Sequence, residues 1–260
     1  MQANVLSIDG KVKGSIELPE IFAEQVRPEL IHRAVIAEAS YRLQPQGHYP
    51  LAGMQTTATY YGAMSSYRSG RHMGIAIRPR EKLGGGVQGK VKRIPSAVKG
   101  KRAHPHLIEK TLIERINKKE YQKALISAIS ATASVKKAGV TAPIIVSNEI
   151  EHVKKTKDMM KILEHLKLLH FVEESATPKI RKGVRRSIRR RIFKRSLLLV
   201  LGKDAPAIRA SRNIAGMDAC TVTDITASAL APGGNPGRIT IWSEDAVKEI
   251  SAAVGKRTLR

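Results

Sequence analysis

Residues 42–106 restrict most strongly the folds that this chain can adopt. The segment holds ten of the 20 glycines and five of the 12 prolines, and its large aliphatic residues follow no regular period. It carries twelve Lys and Arg residues against one acid, Glu81. Such a stretch cannot bury enough apolar surface to offset the entropy lost when its backbone becomes ordered. We therefore predict that it lies outside the main core and becomes ordered only against a partner.

The flanking sequences, residues 1–41 and 107–260, have the pattern of one α/β domain interrupted by that segment. Compact apolar runs predict short strands, and amphipathic spacing predicts helices between them. Their alternation predicts a mostly parallel sheet in a Rossmann-like three-layer body, with a long extended basic loop inserted. The predicted strands are 3–8, 142–146, 197–201, 220–223 and 238–242, and the predicted helices are 28–43, 107–138, 156–168 and 243–254.

The positive charge is concentrated in two segments. The formal net charge of the chain is +24 at pH 7. Residues 42–106 contribute +11, and residues 176–195, with ten bases and no acid, contribute +10. A cationic excess of this size favours a polyanionic partner, with nucleic acid considered first and an anionic membrane surface second. The rest of the chain is close to neutral, so we expect the partner to contact the two basic segments.

Two interpretations of residues 42–106 are a flexible linker and an arm that folds against RNA. A linker does not need twelve cations and four tyrosines. In an RNA-binding arm, phosphates neutralise the cations, glycines permit close approach of the backbone, and aromatic or guanidinium planes stack on unpaired bases. The arm residues that we predict to bind RNA are Arg68, Arg71, Arg78, Arg80, Lys82, Gly84, Gly85, Gly86, Lys90, Lys92, Arg93, Lys99, Lys101, Arg102 and His104.

Residues 179–195 are the core of the second basic segment. Ile180, Val184, Ile188 and Ile192 recur every four residues, so a helix with a narrow apolar stripe is one interpretation and a loop is another. A solvated charged helix, a nuclear-targeting run and a membrane-surface helix are alternatives. The absence of acids favours contact with phosphates. The residues that we predict to form a second RNA site are Arg181, Lys182, Arg185, Arg186, Arg189 and Arg190.

The glycine-rich residues 84–90 match two nucleotide-binding motifs without the expected context. They satisfy G-x-G-x-x-G and nearly satisfy G-x-x-x-x-G-K-[ST], except that Val91 stands where the second motif needs a hydroxyl. Both motifs need a strand before the glycines and a helix after them. The basic, proline-containing flanks predict neither element. An α/β nucleotide-binding enzyme is therefore kept only as an alternative.

The sequence predicts no catalytic, metal or membrane site. His104 and His106 lie in a cationic run without a nearby carboxylate, so no metal site is expected. A single cysteine, Cys220, excludes an internal disulfide framework and favours a reducing intracellular compartment. The longest apolar run, 197–201, is too short to cross a bilayer, and no secretory signal is expected. No nucleophile elbow and no spaced carboxylate pair is visible, whereas a Ser/His/Asp arrangement that forms only in space stays open. We expect no cofactor and no small-molecule substrate.

A series of short motifs runs in order along most of the chain. The motifs are Ala52-Gly53, Ser69-Gly70-Arg71, Arg78-Pro79-Arg80, the glycine triplet 84–86, Ile94-Pro95, Lys99-Gly100, Arg102-Ala103-His104-Pro105, the helical stretch 124–133, Arg212-Asn213-Ile214 and residues 236–242. The ordered series resembles the universal large-ribosomal-subunit protein four family in its archaeal/eukaryotic branch. At 260 residues the chain is closer to the archaeal type.

That resemblance implies a non-catalytic, structural protein of the large ribosomal subunit in the cytoplasm. It implies a globular α/β domain on the subunit surface and an arm threaded into ribosomal RNA, with roles in RNA binding and subunit assembly. It also implies that the arm tip lies near the nascent-peptide exit tunnel, beside another tunnel-lining ribosomal protein and the nascent peptide. A non-ribosomal RNA-binding protein is the other alternative.

Overall fold

The computed structural model describes residues 1–60, 74–137, 140–182 and 189–256. The chain divides into two compact units. The first unit comprises Met1–Arg42 and Ile113–Arg260, and the second comprises Leu43–Leu112. The second unit overlaps most of the segment that composition sets apart, and it extends six residues further at its carboxyl end.

The described chain contains twelve strands and seven α-helices. The strands are β1 (Gln2–Leu6), β2 (Val12–Glu17), β3 (Arg80–Lys82), β4 (Gln88–Val91), β5 (Lys136–Lys137), β6 (Val140–Thr141), β7 (Ile144–Val146), β8 (Lys179–Lys182), β9 (Arg189–Ile192), β10 (Leu197–Leu201), β11 (Met217–Thr221) and β12 (Ile239–Ser243). The helices are α1 (Pro28–Ser40), α2 (Lys118–Ala133), α3 (Thr156–His165), α4 (Leu169–Ala176), α5 (Ala207–Ser211), α6 (Ala227–Leu230) and α7 (Glu244–Lys256).

A six-stranded sheet in the order β11-β10-β12-β7-β1-β2 forms the centre of the first unit. Neighbouring strands are parallel except for β1 and β2, which pair antiparallel at one edge. This confirms the predicted α/β class with a mostly parallel sheet. Strand β2 was not predicted, because its residues are largely exposed and show no apolar alternation.

The sheet is covered on both faces because its central strands are apolar throughout. In β10, Leu198 and Val200 belong to one buried cluster, whereas Leu197, Leu199 and Leu201 belong to the other. This division follows from the alternation of side chains along a strand. Helices α1, α2, α6 and α7 supply the first cluster, and α3, α4 and α5 supply the second.

One predicted helix is partly wrong. We predicted a helix over 107–138, but α2 begins at Lys118 and ends at Ala133. Leu107, Ile108 and Ile113 are exposed, so the apolar residues before α2 do not share a buried face. The five predicted strands are all present, with boundaries that differ by no more than three residues.

A buried carboxylate joins three helices of the first unit. Glu38 in α1 is 7% exposed and accepts a 2.7 Å hydrogen bond from the Tyr121 hydroxyl in α2. The same carboxylate accepts hydrogen bonds from the backbone N–H groups of Ala227 and Ser228, at 2.8 and 2.9 Å. These N–H groups open α6 and have no partner within a helix, so Glu38 satisfies donors that would otherwise be buried unpaired.

We expect Gly216→Ala to destabilise the first unit by at least about 2 kcal/mol. Gly216 has a φ of +72°, and a Cβ atom there would overlap the Ser175 side chain and lie 2.8 Å from the Lys194 carbonyl oxygen. A left-handed alanine alone costs about 1–2 kcal/mol. The matched control is Gly255→Ala, because Gly255 lies in α7 with open space around its Cβ position.

Urea denaturation of the two variants measures the difference. The control should be neutral or slightly more stable, since alanine is favoured over glycine within a helix by up to about 1 kcal/mol. An equal loss of stability in both variants would contradict the steric argument.

Candidate nucleic-acid interface

A short β-hairpin presents the glycine triplet of the second unit. Strands β3 and β4 pair antiparallel, with Arg80 opposite Val91 and Lys82 opposite Gln88. The Leu83 N–H donates to the Val87 carbonyl at 3.1 Å and closes the turn that contains the triplet. We predicted no strand before Gly84, and this prediction was wrong because β3 lies there. A strand rather than a helix follows, so the context of a phosphate-binding nucleotide motif is not met.

The triplet is open to solvent at its first two glycines. Gly85 has a φ of +73°, a conformation that favours glycine. Cβ atoms built at Gly84 and Gly85 meet no other atom within 4 Å in the described chain. The backbone of this turn is therefore uncovered on a surface where another molecule can approach it closely.

The loop from Ile94 to Gly100 folds back on itself beside the hairpin. The Ala97 N–H donates to the Ile94 carbonyl at 3.2 Å, and the Gly100 N–H donates to the Ala97 carbonyl at 3.0 Å. A Cβ atom at Gly100 would overlap the Ile94 carbonyl oxygen, so the tight path requires glycine there. At the two ends of the loop, Arg93 and Lys99 have φ angles of +65° and +57°. Positive φ is uncommon for residues with a Cβ atom.

Four of the predicted RNA-binding cations have partners within the unit. Arg78 donates to the Ser96 hydroxyl at 2.7 Å, Arg80 to the Ala76 carbonyl at 3.2 Å, and Arg93 to the Met54 carbonyl at 3.1 Å. Lys92 donates to the Val98 carbonyl at 3.4 Å and lies 3.9 Å from a Glu81 carboxylate oxygen. Most of these partners are neutral, so they orient the cations without cancelling their charge.

The other described cations on this surface are exposed. Four of them make no side-chain hydrogen bond or ion pair within the described ranges: Lys90, Lys99, Lys101 and Arg102. The side chains of Lys82 and His104 are also exposed. An open groove of about 610 Å³ is lined by Arg78, Lys90, Lys92 and Lys99 together with other residues of the loop from Ile94 to Lys99. Ala58 is the one buried apolar side chain among the described residues of the unit.

The second basic segment forms an antiparallel pair of strands at its two described ends. Strand β8 pairs with β9, so the helix interpretation is wrong for these residues. The register places Arg181 opposite Arg190 and Lys182 opposite Arg189. Like charges directly opposite each other destabilise a strand pair.

Four predicted site residues lie outside the described part of the chain. They are Arg68, Arg71, Arg185 and Arg186. For Arg181, Lys182, Arg189 and Arg190 the structure describes the backbone, and the strand pairing brings these four positions together. The two sets of predicted residues therefore occupy separate units, the hairpin and loop of the second and the β8–β9 pair of the first.

The sequence prediction missed a cationic pocket where β10 and β12 begin. Lys194, Arg195 and Arg238 line it. Lys194 and Arg195 belong to a basic run and could have been included, whereas nothing in the sequence marks Arg238 as buried. Burial lowers the pKa of the Arg238 guanidinium, although its hydrogen bond to Asp218 and the Asp218 charge act in the opposite direction.

The described residues contain neither a cluster of possible metal ligands nor a helix that could cross a membrane. No three His, Cys, Asp or Glu side chains of the described ranges come together as possible metal ligands. No helix in those ranges has the length and apolar character needed to cross a bilayer.

Fold and surface together define an α/β protein whose basic segments are suited to a polyanion. The particular family follows from comparison with known sequences: the chain belongs to the ribosomal protein L4/L1 family, whose model matches residues 16–253. This confirms the family resemblance seen in the motifs. As a member of a ribosomal protein family, the chain is a structural, non-enzymatic protein of translation that acts in the cytoplasm as part of the ribosome.

Archaeal relatives match almost the entire chain. The protein named large ribosomal subunit protein uL4 of Archaeoglobus fulgidus is 40% identical over 95% of this chain and 97% of its own length. Those of the same name from Methanococcus vannielii and Methanocaldococcus jannaschii are each 40% identical over 96% of this chain and 98% of their own length. The archaeal/eukaryotic branch expected from the motifs is therefore confirmed.

Proposed function

We propose that this chain is a structural constituent of the large ribosomal subunit and binds ribosomal RNA through two basic surfaces. The first surface is the second unit, Leu43–Leu112, and the second is the basic segment 176–195. The observation that carries the proposal is the set of exposed cations Lys90, Lys99, Lys101 and Arg102, which have no partner in the described chain. The archaeal relatives are named as large-subunit proteins, and this chain matches nearly their full length, which supports the ribosomal assignment.

The electrostatics of the second unit favour crowded RNA phosphates. Its sequence has twelve Lys and Arg residues against the two acids Glu81 and Glu109. Glu81 lies 3.9 Å from Lys92, which leaves most of the cations uncompensated by carboxylates. Each phosphate that they neutralise releases condensed counterions, and this release supplies the affinity.

The Gly84–Gly86 turn suits close contact between protein backbone and RNA. The open Cβ positions at Gly84 and Gly85 let a phosphate or ribose approach the backbone where a side chain would stand. Lys82 is the last residue of β3 and Lys90 lies in β4, so the two lysines flank this turn in sequence. We propose that the unit is an arm threaded into ribosomal RNA, with its tip near the nascent-peptide exit tunnel beside a second tunnel-lining protein and the nascent peptide.

The β8–β9 pair is the proposed second RNA site. The strand register sets two pairs of cationic positions opposite each other, Arg181 with Arg190 and Lys182 with Arg189. Phosphates at this surface would replace repulsion between cations with attraction to a shared anion. Through both sites the chain would hold separate RNA segments together and so support subunit assembly.

We expect RNA binding by the full chain to weaken steeply with salt. A protein that contacts six to ten phosphates loses about 10³–10⁵ in affinity between 50 and 200 mM salt. Filter binding or fluorescence anisotropy with a fragment of large-subunit ribosomal RNA measures this change. A loss of less than about tenfold over that range would contradict the electrostatic proposal.

Fractionation separates the ribosomal proposal from a non-ribosomal RNA-binding role. The tagged full chain should sediment with the large subunit and stay with it through a high-salt wash. Release of the chain into the free fraction, together with normal RNA binding in vitro, would favour the non-ribosomal alternative.

A further inference from the structure

The open groove of the second unit is lined by two kinds of side chain. Of its nine lining residues, four are the cations named above, four are apolar and one is Ser96. The apolar residues are Val91, Ile94, Ala97 and Val98. No carboxylate is among these nine described residues. The volume of about 610 Å³ falls within the range of about 300–1,000 Å³ that is typical of ligand sites. The groove therefore suits an occupant that is anionic and also carries an apolar face.

Hydrogen bonds within the unit hold the walls of the groove in place. A terminal nitrogen of Arg78 donates to the Ser96 hydroxyl at 2.7 Å. The Lys92 ammonium donates to the Val98 carbonyl at 3.4 Å, and 15% of its side chain is exposed. Backbone hydrogen bonds close the turns of the loop from Ile94 to Gly100. An occupant would thus enter a groove that is already formed, which lowers the entropy cost of binding.

The apolar side of the groove is unusually open to water. Val98 is 83% exposed, the largest fraction for any large apolar residue in the described chain, and Ile94 and Ala97 are partly exposed. Phosphate contacts alone would leave these side chains in water. The flat face of a nucleic-acid base, in contrast, leaves water when it packs against a protein surface. The apolar residues therefore favour an occupant that contains a base.

The cations of the groove differ in how they are held. Lys90 and Lys99 are exposed and make no side-chain hydrogen bond in the described ranges, so they suit phosphates. Arg78 is tethered to Ser96 by one nitrogen, and its other N–H groups make no hydrogen bond in those ranges. A planar guanidinium group can stack on an unpaired base and can also donate to it.

We propose that this groove binds one unpaired RNA nucleotide, with its base against Val98 and the Arg78 guanidinium. The phosphates on either side of the nucleotide lie beside Lys90 and Lys99. A base within a paired helix is stacked between its neighbours, so the groove cannot reach its face. The inference rests on the proposed RNA binding and goes further, because it selects an unpaired nucleotide within that RNA.

Three RNA hairpins with the same stem and the same terminal dye test the proposal with the full chain. One is fully paired, one has a single bulged fluorescent adenine analogue, and one has an abasic nucleotide at the bulge. Fluorescence anisotropy should show that the bulged base binds about fivefold or more tightly than either of the others, since a base packed on protein contributes that much affinity. The emission of the analogue should also change on binding.

Val98→Ser tests the apolar wall without a change in charge. The variant should reduce the preference for the bulged base about threefold, because it removes apolar surface that the base would cover. Val12→Ser is the comparison, since Val12 is a 63% exposed valine in β2 of the first unit, outside both basic surfaces. This second variant should keep the preference. An equal loss in both variants would overturn the role of Val98.

Arg78→Lys tests the guanidinium plane at constant charge. The preference for the bulged base should fall about two- to fivefold, as expected for a lost contact between a cation and a ring, while affinity for the paired hairpin stays the same. Arg102→Lys is the control, because Arg102 is exposed and does not line the groove. It should leave the preference unchanged.

The hairpins also separate failure of the groove from failure of the proposed function. Equal affinity for the bulged and abasic hairpins would overturn the inference, because flexibility of the RNA backbone would then explain the preference. Equal affinity for all three, with a steep salt dependence, would refute the groove and leave the proposed RNA binding intact. Binding to none of them would overturn both.

Discussion

Replacing Lys90, Lys99, Lys101 and Arg102 together with glutamine should reduce the affinity of the chain for ribosomal RNA by about 10²–10³-fold at 0.1 M salt. The four side chains are exposed and unpaired within the described chain, so their full charge is available to phosphates. Each contact to single-stranded RNA contributes about 0.7 to the slope of log affinity against log salt, and four such contacts give this loss. The slope itself should fall by about 3.

The matched control removes four exposed lysines from the first unit. Lys154, Lys155, Lys157 and Lys161 lie in or just before α3, outside both basic segments. Their replacement with glutamine changes the net charge equally but should alter RNA affinity much less. Equal losses in the two quadruple variants would show that total charge, and not the second unit, determines binding.

Glu38→Ala should destabilise the first unit by about 4.5 kcal/mol. The substitution removes the acceptor for the Tyr121 hydroxyl and for the two N–H groups that open α6. Hydrogen bonds to a charged group contribute about 1.5–3 kcal/mol each, and three at the lower end of that range give the expected value. The urea midpoint should fall without a change in the slope of the unfolding free energy against denaturant concentration.

Tyr121→Phe is the graded comparison. It removes one donor to Glu38 and leaves both backbone N–H bonds in place, so we expect a loss of about 1.5 kcal/mol. If Glu38→Ala cost no more than Tyr121→Phe, the backbone contacts of Glu38 would contribute nothing to stability. The role assigned to the carboxylate at the start of α6 would then be wrong.

The apolar pattern was enough to predict five of the six strands of the central sheet. Strand β10, with five consecutive buried aliphatic residues, was predicted at its exact bounds because a doubly covered parallel strand has no polar face. The predicted insertion, residues 42–106, overlaps most of the second compact unit, Leu43–Leu112, because a glycine-rich cationic stretch contrasts with the apolar periods on either side. Edge strand β2 could not be predicted, because an exposed strand carries no apolar alternation.

Other features depend on contacts between residues distant in sequence. The four-residue spacing of isoleucine and valine after Lys179 suggested a helix, whereas the backbone pairs Lys179 with Ile192 and Arg181 with Arg190 across two strands. In the sequence, Arg238 is one of 46 Lys and Arg residues, and nothing marks it as buried. Only the position of β12 beside β10, whose other neighbour is β11, reveals that Arg238 is buried against Leu197 and Asp218.

The register of β8 and β9 sets cationic positions opposite one another, Arg181 with Arg190 and Lys182 with Arg189. Opposed like charges disfavour a strand pair and salt screens that effect, so we expect the free strand pair to gain stability as ionic strength rises. Under the proposed function phosphates would bind at these positions, where added salt would compete with them and weaken the complex. The proposed site should therefore depend most on RNA for its order at low ionic strength and bind RNA most weakly at high ionic strength.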